Sequence, residues 1–169
     1  MLNETKESIP EYQSFIDAFH IEDITGLLTG DLESGLNVCY ECCDRHIDSG
    51  RVAVFWEGSD GSSSSHTFDE LRRRAAQFAN LLKSRGIQPG DRVACMLPRI
   101  PDLFVVALGT WRAGAVYVPL FTAFGPKAIE YRLQQSEARL IVTDGVNREK
   151  LNDIADLPTV MVVNRTEVE

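Results

Sequence analysis

The segment NVCYECCDRH, residues 37 to 46, holds three of the chain's four cysteines and one of its three histidines. Cys39, Cys42, Cys43 and His46 are residue types that ligate soft metals or carry thiol redox chemistry. Their spacing decides between that chemistry and packing. Positions 39, 42, 43 and 46 are separated by three, one and three residues. On a helix capped by Asn37 the four side chains therefore share one face, with Val38 and Ile47 alongside. One helix cannot wrap a tetrahedron around an ion, and C-x-x-C zinc sites place the pair on a turn and draw two further ligands from elsewhere. The other histidines, His20 and His66, fall in a polar arm and in a hairpin. Cysteine also packs as a small buried hydrophobe. The expectation is a core stripe with no metal bound; a cysteine-based metal or redox protein is the competing reading, and thiols that react only on unfolding separate the two.

The elements around this segment follow an α/β rhythm. Residues 1–36 form a polar arm in which SIPEYQSFIDAF starts a helix, with Ser8 as cap and Pro10 in its first turn, before TGLLTGDLESG breaks into turns. RVAVFWEG is β-branched and aromatic, a strand; SDGSSSSHTF follows as a flexible tip with SHTF returning as a second strand. Thr67 and Glu70 have capping-box spacing, and Leu71, Ala75, Phe78 and Leu82 recur on one helical face that ends at Gly86. Arg72, Arg73 and Arg74 read as a solvated face of that helix. Then RVACML is a strand, IPDLFVVALGTWRAG a helix, AVYVPL a strand, GPKAIEYRLQQSE a helix, ARLIVTD a strand, NREKLNDIA a short helix and TVMVV a final strand.

Nearly continuous apolar strands alternating with helices describe an α/β fold, an open and mainly parallel sheet with helices on both faces. The helical arm and a small β-hairpin precede it. Ligands bind such sheets at the carboxyl ends of the strands, here near Pro98, Leu120 to Phe124, and Thr143 to Asn147. The apolar run Leu103 to Phe121 approaches membrane-span length, but Gly109, Gly114 and Pro119 interrupt it, so it reads as a helix followed by a buried strand.

Composition excludes several classes. At 169 residues, with 44% apolar and 25% charged, the chain is ordinary for a single globular domain. A net charge of -8 offers no basic face for a phosphate backbone, so no nucleic-acid partner is expected. No secretion signal opens the sequence, and no membrane association is expected; reduced thiols and a cytoplasmic location fit together. No G-x-G-x-x-G follows a strand, and GTWRAGA places Ala115 where a P-loop needs lysine. No nucleophile elbow or HExxH is present, and no catalytic residue is assigned.

The order of the segments carries more. A helix ending in Gly86, then PGDRVA, RAGAVYVPL and EYRLQQSEARLIVTD closely resembles the N-terminal region of AMP-forming acyl-CoA synthetases, members of the adenylate-forming ligase superfamily. LNVCYECCDRH before VAVFWEG, and FTAFGPKAIEYRL after VPL, resemble the acetyl-CoA synthetase-like branch for short or medium acids. The resemblance covers roughly residues 30 to 165. It implies that a carboxylic acid attacks the α-phosphate of ATP, releasing pyrophosphate, and that the thiol of CoA then displaces AMP, with magnesium offsetting charge. It also implies that residues 37–169 are the first part of the AMP-binding domain, lacking the Ser/Thr/Gly-rich phosphate loop. The 169-residue chain alone is therefore expected to be inactive and to hold no cofactor tightly, and its partners would be the acid, ATP, CoA and the remainder of its own chain. Apolar surface left open makes self-association an expectation too. In the relatives the segment matching FTAFG receives the adenine of CoA and basic residues after the IVTD strand approach its phosphates. On this chain these are Phe121, Thr122 and Ala123, with Arg148 and Lys150 as the cations. The competing reading, from a different class, is a stand-alone α/β module that binds a nucleotide or a protein without catalysis.

Overall fold

The computed structural model describes residues 11–163. These divide between Leu36 and Asn37 into two compact units. In the first, helix α1 (Tyr12–Ala18) has Glu11 at its cap position with no side-chain cap; Ser8 and Pro10 lie outside the described residues. A 3-10 turn spans Ile21–Leu27, and Asp31 closes the last turn by accepting from the Ser34 amide at 2.6 Å.

The second unit is built on a four-stranded parallel sheet, with strand β3 (Arg92–Met96), β4 (Val116–Pro119), β5 (Leu140–Asp144) and β6 (Thr159–Val163) in the order β4-β3-β5-β6. Val93 pairs with both Tyr117 and Leu140, so β3 is bonded on both sides. Its side chains alternate between two buried faces. Val93, Cys95 and Leu97 join Leu140 and Val142 in one core cluster, which includes residues of α3 (Phe68–Ser84) and α4 (Asp102–Arg112). Ala94 and Met96 join Ile141 and the Ile129 and Leu133 side chains of α5 (Pro126–Gln135) in the other. Double burial is why these strands read as unbroken apolar runs. No helix among the described residues is long and apolar enough to cross a membrane; the run 103–121 divides into most of α4 and all of β4.

Helix α3 follows its local signals. The Thr67 hydroxyl accepts from the Glu70 amide at 3.2 Å and the Glu70 carboxylate accepts from the Thr67 amide at 2.8 Å, while Leu71, Ala75, Phe78 and Leu82 are buried. Gly86 closes it at φ 80°. Before α3, β1 (Val52–Glu57) pairs antiparallel with β2 (Ser63–Thr67). The return strand is longer than SHTF: Ser63 and Ser64 pair with Glu57 and Trp56, because a ladder recruits backbone whatever the side chain. The arginine run is not uniformly solvated either. Arg72 bonds Asp69 within the helix, whereas Arg74 reaches Asp102 at the start of α4, 2.6 Å away, and ties the two helices together.

The cysteine segment departs from the expected single helix. Helix α2 (Val38–Cys42) starts as expected, the Asn37 side chain accepting from the Tyr40 amide at 3.3 Å. It ends after five residues, at Cys43 (φ -132°, ψ -62°), and continues as a 3-10 turn over Asp44–Ser49. Within α2, about 100° per residue leaves Val38 and Cys42 at opposite edges of the face that Cys39 and Cys43 share. Cys39 and Cys43 are buried in the core, whereas Cys42 and Val38 are exposed. After β5 the helix also begins earlier than expected: α6 is Gly145–Arg148, because Asp144 caps it, and a 3-10 turn over Glu149–Leu151 follows.

Candidate functional site

The topology sets the place. The chain leaves β3 toward β4, and leaves β5 toward β6 on the other side, so the connections diverge at the carboxyl ends of β3 and β5. A cleft of about 710 Å³ opens beside that point, at the carboxyl ends of β3 and β4, with Leu97, Arg99, Tyr117, Phe121, Phe124 and Arg132 among the residues that line it.

The loop between β4 and α5 forms its rim. Leu120 is buried and its amide bonds the Cys95 carbonyl at 2.8 Å, which anchors the loop to β3. Phe121 to Phe124 make a turn closed by the Phe124 amide on the Phe121 carbonyl at 3.0 Å. Phe121 is 62% exposed, and its ring meets the Phe124 ring edge-on, centroids 5.8 Å apart. The Arg132 guanidinium of α5 lies 4.1 Å from the centroid of the Phe124 ring while donating to the Ala128 carbonyl at 2.9 Å. A cation over an aromatic face holds that ring still, and Phe121 is left standing out beside it.

The segment after β5 does not line the cleft but is bonded to its rim. Asp144 accepts from the Asn147 amide at 2.7 Å and from the Asn147 side-chain amide at 2.9 Å. The Asn147 side-chain oxygen in turn accepts from the Lys150 ammonium at 2.9 Å, and the same ammonium donates to the Thr122 carbonyl. Of the residues singled out by resemblance, Phe121, Thr122 and Ala123 share one turn and Lys150 is bound to it. Arg148 is directed instead to Asn152, whose side-chain oxygen accepts at 2.9 Å. Sequence reasoning missed Arg99 and Arg132. The position of Arg99, just after the strand that ends at Met96, was the available signal.

Burial pushes the Cys95 thiol at the cleft up to about 11, and burial raises Tyr117 as well, so both stay protonated near neutrality. Among the described residues no three His, Cys, Asp or Glu side chains cluster to hold a metal.

The other thiols give a direct prediction. Burial raises Cys39 and pushes Cys43 up to about 12, while Cys42 lies exposed at the edge of an apolar cleft of about 430 Å³. One thiol, Cys42, is expected to react with a disulfide reagent at pH 8 in the folded chain, and the other three only after unfolding. Because the folded values are raised, the thiol contribution to stability is complete below the ordinary thiol value of 9.0. It is lost as pH climbs from there toward about 12. A titration of the native chain that counts two or more fast thiols contradicts this placement.

Comparisons with known proteins identify the family. The AMP-binding enzyme family matches residues 43–169. The acetyl-coenzyme A synthetase 2 of Pseudomonas aeruginosa is 37% identical over 163 residues, covering 82% of this chain and 25% of that protein. The acetyl-coenzyme A synthetase of Halorhodospira halophila is 37% identical over 160 residues, covering 83% and 25%. A crystal structure of an acyl-CoA synthetase from Brucella canis superposes with a TM-score of 0.89 at 42% identity, over 95% of this chain and 30% of that one. The chain thus spans about a quarter of the length of the curated relatives it matches. By sequence and by fold, it belongs to the AMP-binding enzyme family.

Proposed function

We propose that this chain forms part of an AMP-forming acyl-CoA ligase that activates a short or medium carboxylic acid with ATP and passes the acyl group to CoA. Its own share in that reaction is to receive CoA at the rim of the cleft. The adenine stacks on the exposed face of Phe121 against the Thr122–Ala123 turn, and Arg148 sets positive charge nearby for the phosphates, while Lys150 is bonded into the loop itself. The observation that carries this reading is Phe121, 62% exposed at the carboxyl ends of a parallel sheet, on a loop bonded to a lysine from the next crossover. A large ring left open on an otherwise anchored loop is suited to a flat, uncharged ligand surface.

Magnesium and ATP are needed by the reaction, but residues 1–169 include no Ser/Thr/Gly-rich loop ending in lysine, and we assign none of them to the metal. The isolated 169-residue chain is expected to release no pyrophosphate above background when given ATP, magnesium and a panel of carboxylic acids. Acid-dependent release would overturn that division of labour. In CoA titrations of the same chain, Phe121→Ala is expected to weaken binding about 10- to 100-fold, the worth of one stacked base. Equal affinity in the two chains would remove CoA from this loop.

A further inference from the structure

Lys150 has a geometry that a phosphate ligand does not need. Its ammonium is held from two sides: by the Asn147 side-chain oxygen at 2.9 Å, and by the backbone carbonyl of Thr122, 28 residues away in sequence. Asn147 is itself buried at 7% exposure and fixed by Asp144, the last residue of β5. An unbroken chain of hydrogen bonds therefore runs from the end of one parallel strand to the loop that follows another. Arg148, two residues earlier, has no such tie to the loop and bonds only along its own turn. On the far side of the same loop, Arg132 grips Phe124. The turn that displays Phe121 is thus pinned by a cation on each flank.

We propose that Lys150 is a positioning residue: by clamping the Thr122 carbonyl to the end of β5, it holds the Phe121 ring in the orientation that stacks on the ligand, and it does not itself pair with a ligand phosphate. This rests on the reading of the loop as the platform for the adenine of CoA, and it specifies how that platform is set. A pre-ordered ring binds without first losing loop freedom, so the clamp raises affinity through the free state of the protein. The positive charge is consumed by a carbonyl and an amide oxygen, both neutral acceptors, and its effect reaches the ligand through the backbone.

Two substitutions test the clamp on the 169-residue chain. Lys150→Met removes the donor, and Asn147→Ala removes the other leg while leaving the lysine charge in place. Both are expected to raise hydrogen exchange at the Phe124 amide about tenfold, while amides in β3 and β5 keep wild-type protection; Lys150→Arg, which can still reach a carbonyl, restores most of the protection. Unchanged exchange at Phe124 in both variants would overturn the clamp, as would a rise shared by β3 and β5, which marks general loosening. Titration with CoA and with uncharged adenosine provides the second readout. A positioning role predicts that Lys150→Met weakens both by the same factor, whereas a loss confined to CoA would make Lys150 a direct phosphate ligand and sink the proposal. If the wild-type chain bound neither compound, the CoA reading of the loop would fail while the exchange pattern still decided whether the clamp exists.

Discussion

Replacing Gly109 with alanine is expected to destabilise the chain by about 2 kcal/mol, and replacing it with valine by roughly 3 kcal/mol, the upper end of the usual range for overpacking a closed core. The reason is the approach of α4 to α3. A Cβ at Gly109 would lie 2.7 Å from the Phe78 ring, 2.8 Å from the Ala75 carbonyl oxygen and 3.0 Å from the Phe78 Cβ. None of these can swing aside: one is backbone, and the ring belongs to a buried core residue. Alanine recovers about 1 kcal/mol of helix propensity relative to glycine, which offsets part of the clash but not most of it. Valine adds two methyl groups with nowhere to go. The control is Gly145→Ala, where an added Cβ meets nothing within 4 Å and the change should stay within about 0.5 kcal/mol. Urea unfolding followed by circular dichroism measures all three. A Gly109→Ala chain with a midpoint at or above wild type would mean that α3 and α4 part at negligible cost.

What could be read ahead of the structure divides along the range of the forces involved. Helix α3 was legible in full, because its capping box and its Leu71–Ala75–Phe78–Leu82 face are interactions between residues a few positions apart. The parallel sheet was legible as a class, since strands buried on both faces leave apolar runs; the cleft lies near Pro98 and Leu120 to Phe124 as expected for a binding edge, but Thr143 to Asn147, expected there too, do not line it. The order β4-β3-β5-β6 was not, as nothing local to β3 states which neighbours it takes. Cys42 was assigned to the core because its spacing from Cys39 is helical, but α2 buries only the narrower face of Cys39 and Cys43 and leaves Cys42 at its edge. The break at Cys43 precedes Asp44, whose partner Arg112 lies 68 residues away, beyond any periodicity argument. The site shows the same limit. The loop Phe121 to Ala123 came from resemblance and the structure places it at the cleft, but only coordinates separate Lys150, which reaches Thr122, from Arg148, which does not. Arg132 looks in sequence like any other solvent-facing arginine, so its share in the cleft had no local signature, whereas Arg99 was marked by its place just after β3.

That distant pair yields the second large effect. Asp44 lies in the 3-10 turn after α2 and Arg112 at the carboxyl end of α4, where a cation also complements the helix dipole. Both Asp44 oxygens accept from one Arg112 nitrogen, and the two side chains are mostly buried, at 15% and 26% exposure. The Arg112 Nε is buried with no nitrogen or oxygen partner among the described residues, and the guanidinium otherwise interacts with the Cys39 thiol. Asp44→Ala would therefore strand a guanidinium that cannot shed its charge beside the buried thiols Cys39 and Cys43. Partial exposure moderates the full penalty of a broken buried pair, leaving an expected loss of about 2–3 kcal/mol. Arg112→Met removes that stranded charge and fills similar volume, so the double variant Asp44→Ala with Arg112→Met should unfold later than Asp44→Ala alone. The sign of this coupling is the point of the experiment: if the pair worked mainly as a surface attraction, the second substitution would add no recovery, and 1 M salt would already have weakened the wild-type chain as much as the Asp44 variant. Recovery in the double variant, with little response to salt, would identify Asp44 as the group that lets the C-terminal arginine of α4 be buried, and hence as what holds the cysteine turn against the helix that packs under the sheet.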